Sequence, residues 1–245
     1  MTTRSIFIIA SAAIAVATSA PANAQTPAPA IAFGANLIVN GDAEADTGAG
    51  DDQQIVAPTG WKTTGEFTVV QYGAIGGFPD KKVPGPPDRG KNFFAGGNTV
   101  KSTAEQTIDL SGAADAIDAD VAGFVLTGWL GGFSTQADNA QVAVTFLSAG
   151  GAELASAAIG PEMPFDRKNV TGLFRKTTKG TVPPTTRSAR VVITSSRSEG
   201  KYNDGYADDL SLVLVKKPEP KKTPEPKSTT TPKMTPAPMP APTAT

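Results

Sequence analysis

Between residues 36 and 216 the apolar side chains recur at a period of two, and Gly, Pro, Asn and Asp interrupt the alternation at short intervals. Such a pattern gives a strand one apolar face and cannot give a helix an apolar stripe, which needs a period of about 3.6. The clearest segments are 66–72 (Phe67, Val69), 103–110, 123–130, 141–147 (Val142, Val144, Phe146), 189–195 and 206–215, where Leu210, Leu212 and Leu214 share a face. Weaker candidates at 37–40, 91–95, 153–159 and 171–177 bring the expectation to about ten short strands. Residues 111–120 have room for one helical turn and no more. Half-apolar sheets must cover each other, so the expected fold is all-β: a two-sheet antiparallel β-sandwich, with a jelly roll the preferred form. No convincing internal repeat supports a propeller or solenoid.

The flanks read differently. Arg4, the apolar stretch from Ile6 to Val16 and the small-residue site Ala22-Asn23-Ala24 follow the order of a secretory signal, expected over residues 1–24. The apolar stretch is too short to span a bilayer. Residues 25–35 form an Ala/Pro-rich leader, residues 36–216 the domain, and residues 217–245 a tail of Pro, Lys, Thr and Ala with almost nothing to bury. The tail is expected to be disordered and extended. Its Pro218-Glu219-Pro220 and Pro224-Glu225-Pro226 resemble a bacterial sorting signal but lack the membrane segment that signal needs. The expected product is exported, whether secreted, periplasmic or held at the cell surface, with no transmembrane segment.

The chain contains no His and no Cys. This excludes Ser-His-Asp and Cys-His nucleophilic sites, thiolate or imidazole zinc cages, disulfides and a thiol-linked lipid anchor. What remains suits binding: carboxylates, hydroxyls, Lys, Arg and backbone oxygens, which favour hard cations and sugar hydroxyls. Lys and Arg number 22 against 23 Asp and Glu, so nucleic acid is not an expected partner.

The opening Asn36-Leu37-Ile38-Val39-Asn40-Gly41-Asp42-Ala43-Glu44 with Trp61 downstream, and the closing Gly205-Tyr206-Ala207-Asp208-Asp209-Leu210-Ser211-Leu212, resemble the two ends of carbohydrate-binding-module jelly rolls of the galactose-binding-like class. Leu126-Thr127-Gly128-Trp129-Leu130-Gly131-Gly132 and residues 142–147 stand where that class has its central strands. The resemblance implies a calcium ion between Glu44 and Asp208, with Asp42 and Asp209 as neighbours able to substitute. An alternative reading makes Asp42 and Asp46 turn residues and Asp208-Asp209 the start of an exposed strand edge.

Sugars are held by flat aromatics under the ring and by polar side chains at its hydroxyls. The aromatic candidates are Tyr72, Phe78, Phe93, Trp129, Phe133, Tyr202 and Tyr206, and their polar neighbours are Asn92, Gln136, Asp138, Asn139, Arg197, Asn203 and Asp204. Trp61 is expected in the core; Trp129 is evenly balanced between core and platform. Tyr202, in the Lys201-to-Gly205 turn, is expected at the surface. The Pro/Gly stretch 78–90 reads first as an ordinary connection and second as a cleft wall. The expected partner is a glycan, the alternative a protein or envelope polymer bound by a structural or adhesive surface protein. A two-carboxylate glycosidase drawing on Asp138, Asp204, Glu199 or Glu162 is the least favoured reading.

Overall fold

The computed structural model describes residues 29–217; the expected signal segment, the start of the leader and the tail beyond residue 217 lie outside the described residues. Eleven strands form two sheets. The strands are β1 (Ala49–Asp51), β2 (Lys62–Thr64), β3 (Thr68–Ile75), β4 (Asn92–Ala95), β5 (Lys101–Asp109), β6 (Ala122–Gly132), β7 (Asn139–Ser148), β8 (Glu153–Ile159), β9 (Gly172–Thr181), β10 (Thr186–Ser196) and β11 (Tyr206–Lys216). The first sheet has the order β1-β3-β4-β11-β6-β9, the second β2-β5-β10-β7-β8. From β4 onward the chain crosses from one sheet to the other at every connection except the β7–β8 hairpin, which is the wrapping of a jelly roll. Pairing is antiparallel throughout save for the short parallel contact of β1 with β3. The expected helical turn is present as a 3-10 turn (Ser111–Ala113) and α1 (Ala114–Asp118). Among the described residues no helix is long and apolar enough to cross a membrane.

The alternating residues meet between the sheets. Phe124, Leu126, Leu130, Leu210, Leu212 and Leu214 of the first sheet face Val142, Val144, Phe146, Val191 and Ile193 of the second. The Phe124 and Phe146 rings lie 4.9 Å apart. Each such side chain contributes about 1.5–3 kcal/mol through burial. Trp61 also belongs to this core, edge-on to Phe94, with its Nε1 donating to the Asn40 carbonyl.

Two departures from the simple pattern shape the site. Val69-Val70 and Phe93-Phe94 are buried on both faces of their strands. One face meets the second sheet; the other is covered by the 76–91 connection, which brings Phe78 onto Phe93, Tyr202 and Tyr206 to form a second, smaller core. Leu173 N donates to the Pro84 carbonyl, and the Arg89 guanidinium donates to the carbonyls of Asp80, Val83 and Pro86. The second departure is in β11, where register shifts between Asp208 and Ser211. A bulge there inserts Asp209, at φ +48°, so Ala207 and Leu210 both point inward although they are three residues apart.

The expected strand at 37–40 is instead a bridge and a run of turns. Gly34 and Leu37 donate to β11 carbonyls, and the Asn36 amide bonds Leu210 O, Leu212 N and Ile38 N, so a side chain does the work of ladder bonds beside the bulge.

Candidate functional site

Trp129 leaves β6 on the outer face of the first sheet, where Asp208 of β11 and Arg175 of β9 are its cross-strand neighbours. The second core supports part of the ring, and the indole is half-buried. Beside it opens a hollow of about 420 Å³ whose walls come from five places: Thr127 and Trp129 on β6, Arg175 on β9, Asp209 and Ser211 on β11, Asn36 to Asp42 of the opening segment, and Asp88 of the 76–91 connection. The connection is thus both a cover for aromatics and a wall of this hollow.

The β11 bulge turns Asp209 into the hollow. Its carboxyl is pushed up to about 6, first by partial burial and then by the like charges of Asp88, Asp42 and Glu44. An aromatic platform faces crowded carboxylates, hydroxyls and an exposed guanidinium, an arrangement able to stack on an apolar ring face and bond several hydroxyls. Arg175, Thr127, Ser211 and Asp88 were not singled out from sequence. Arg175 and Thr127 are placed by strand register, and Trp129's period-two neighbourhood was the only signal available for them.

The four residues implied as calcium ligands are divided. Asp42 and Asp209 line the Trp129 hollow. Glu44 Oε1 accepts from the N–H groups of Lys91 and Asn92, 2.7 and 2.8 Å away. Asp208 is buried and accepts from the Tyr72 hydroxyl at 2.6 Å and from Asp209 N. Burial pushes the Asp208 carboxyl well up, while the Tyr72 bond pulls it down.

The loop candidates gather at a second hollow of about 180 Å³, lined by Phe78, Phe133, Gln136, Tyr202 and Asp204 among others. The expectation that Tyr202 stands at the surface is corrected: only 9% of it is exposed, because Phe78 packs against it at 5.0 Å. Asn203 is fully buried, its amide tied to the carbonyls of Thr99 and Val100 and to Gly205 N. Asp138 is fully buried too, accepting from Ser198 N and Oγ, Glu199 N and Asp204 N. These two side chains hold the 197–205 loop and present no free polar atom to a ligand. Asn139 opens β7, its amide bonded to Ala137 O, and Arg197 donates to the Lys201 carbonyl. Of the remaining candidates, Phe93 and Tyr206 are core residues, and Asn92 bonds the carbonyls of Ala43 and Asp46.

Asp204 is pushed up to about 6, mainly by burial and further by the charge of Asp138; the Tyr206 hydroxyl bond and Arg167 act in the opposite direction. The folded state therefore binds this proton more tightly than the unfolded chain. Its contribution to stability is full below the ordinary Asp value and is lost as pH rises through about 6. Asp204→Asn should accordingly shrink the fall in melting temperature between pH 4.5 and 6.5. An unchanged fall would show that Asp204 titrates as an ordinary exposed carboxylate.

No family model matches the chain, and no curated protein matches it. Among solved structures, the enzymatically active domain of a tailspike protein of bacteriophage CBA120 is 20% identical over 74% of this chain, with a TM-score of 0.43, and the match spans 21% of that chain. A family 16 carbohydrate-binding module is 18% identical over 73% of this chain and 99% of its own, with a TM-score of 0.44. A family 61 module solved with beta-1,4-galactotriose is 15% identical over 75% and 99%, with a TM-score of 0.40. Likeness at these levels says nothing about ligand, which has to be read from the residues.

Proposed function

We propose that the chain is a non-catalytic glycan-binding module whose ligand lies in the Trp129 hollow. The observation that carries this reading is a half-buried Trp in the wall of an open hollow whose other walls are mostly polar, among them Arg175, Asp42, Asp88, Asp209, Thr127 and Ser211. A pyranose offers the matching surfaces, an apolar face and a ring of hydroxyls. Of the carboxylates suited to a glycosidase, Asp138 is fully engaged with backbone N–H groups and Glu162 is buried against Lys176, which supports the non-catalytic reading. Export through the 1–24 segment is part of the proposal and rests on the sequence alone.

The calcium clamp is a proposal of the resemblance only, and the carboxylates do not fit it as they stand. Among the described residues no three acidic side chains converge to hold a metal ion, and Glu44 and Asp208 have other partners. Glycan binding is therefore assigned to side chains without a metal. A glycan array probed with the purified protein, in calcium and again in chelator, tests both parts. Specific binding that survives chelator is the expected result. A folded protein that binds no glycan would move the reading to a protein-binding surface role, and loss of binding or of thermal stability in chelator would reinstate the clamp.

A further inference from the structure

The smaller hollow has a chemistry of its own. Phe78, Phe133 and Tyr202 form its apolar walls, and the carboxylates of Asp52 and Asp204 stand among them. Two buried polar atoms there lack a hydrogen-bond partner: the Tyr202 hydroxyl and the Gln136 Oε1. The Tyr202 hydroxyl has no acceptor for its proton among the described residues. Gln136 Oε1 lacks a donor. Buried groups of this kind are normally satisfied, and leaving them bare is unfavourable. The backbone at Gly76, φ +125°, keeps the rim open; a Cβ there would lie 3.2 Å from the Phe78 ring and 3.3 Å from Asp52.

A ligand completing this site must accept from Tyr202, donate to Gln136 and present an apolar face to the rings. A positive group is favoured between the carboxylates of Asp52 and Asp204, because the buried Arg167 that acts on Asp204 is turned onto the carbonyls of Phe133, Ser134 and Gln136 and Lys201 is exposed to solvent. A volume of about 180 Å³ holds one small ring. We propose that this hollow binds the ring of a protonated hexosamine, its ammonium paired with Asp52 and Asp204 and its ring against the aromatic walls. Ammonium groups gain from both carboxylates and aromatic faces. This site is separate from the Trp129 hollow and does not depend on what binds there.

The test titrates the full chain with glucosamine, N-acetylglucosamine and glucose, followed by NMR, for the native protein and for Asp52→Asn, Tyr202→Phe and Arg175→Ala, the last an exposed residue of the larger hollow. Asp52 is a partly exposed residue whose only side-chain bond is to Gln53, so its substitution leaves the core untouched. Glucosamine should bind at least tenfold more tightly than the two uncharged sugars. Asp52→Asn should weaken it at least tenfold with melting unchanged, Tyr202→Phe should weaken it less, and Arg175→Ala should leave it as it was. Equal binding of all three sugars, binding of none, or an Asp52→Asn variant that binds as well as the native protein would overturn the proposal. Loss of glucosamine binding in Arg175→Ala would also overturn it, by moving the ligand to the larger hollow.

Discussion

Asp138→Ala should be among the most destabilising single substitutions in the domain, with a loss of about 3–5 kcal/mol, because three backbone N–H groups and one hydroxyl would lose a charged acceptor at once. Asp138 is fully buried, and its two oxygens receive Ser198 N at 2.7 Å, Ser198 Oγ at 3.1 Å, Glu199 N at 3.1 Å and Asp204 N at 3.0 Å. The loop it holds carries Tyr202 and Asn203 against the β4 end, where Asn203 N donates to Gly97 O. Asp138→Asn should fall between native and alanine, since an amide oxygen serves two or three of the donors and its NH₂ opposes the remaining one. Chemical denaturation measures all three proteins. An alanine variant as stable as the native protein but defective in glycan binding would make Asp138 a ligand residue, as the sequence first suggested.

The second large effect is expected at Gly41. A Cβ on this residue would stand 2.2 Å from the Leu210 carbonyl oxygen, which itself accepts from the Asn36 amide, while Leu210 N donates to the Gly41 carbonyl. The opening segment is pressed against the β11 bulge with no room for a methyl group. Both the segment and the bulge would have to move, and overpacking of this severity costs about 3 kcal/mol. Gly50→Ala, where a Cβ meets nothing within 4 Å, is the control and should be close to neutral. A Gly41→Ala protein that melts with the native one would mean that the opening segment is not seated on β11 as described.

These two residues show what the sequence carried and what it did not. The six clearest alternating segments are strands, each within a few residues of its expected limits, because a sandwich core needs nothing but a period of two. β1 and β2, three residues each, are too short to show any period, and they are held by their neighbours. Residues 37–39 are three successive aliphatics, Leu-Ile-Val, that suit a strand, yet Asn36 and Gly41 make them a plug for the bulge. The bulge itself hides between Ala207 and Leu210, where one extra residue shifts the inward-facing set.

The site was legible to the same degree. Trp129 was identifiable as an aromatic in a Gly-flanked strand, but its partners Arg175, Asp88 and Ser211 lie far away in sequence and meet it only through register and through the 76–91 cover. That cover also explains Tyr202. A Lys-Tyr-Asn-Asp-Gly turn looks exposed in isolation, and nothing local announces that Phe78, more than a hundred residues earlier, will close over it. Glu44 and Asp208 are conspicuous for their charge, yet one caps a strand end and the other anchors Tyr72.

The most direct measurement is a titration of the strongest glycan from the array against the native protein, Trp129→Ala and Arg175→Ala, with melting temperature recorded for each. Arg175 is exposed on β9 and has no side-chain partner among the described contacts, so its removal should leave the fold unaffected. The account predicts that Trp129→Ala weakens binding by about 1–3 kcal/mol, the range of aromatic stacking platforms, and that Arg175→Ala weakens it with an unchanged melt. Native affinity in both variants, each still folded, would contradict a glycan site at this hollow.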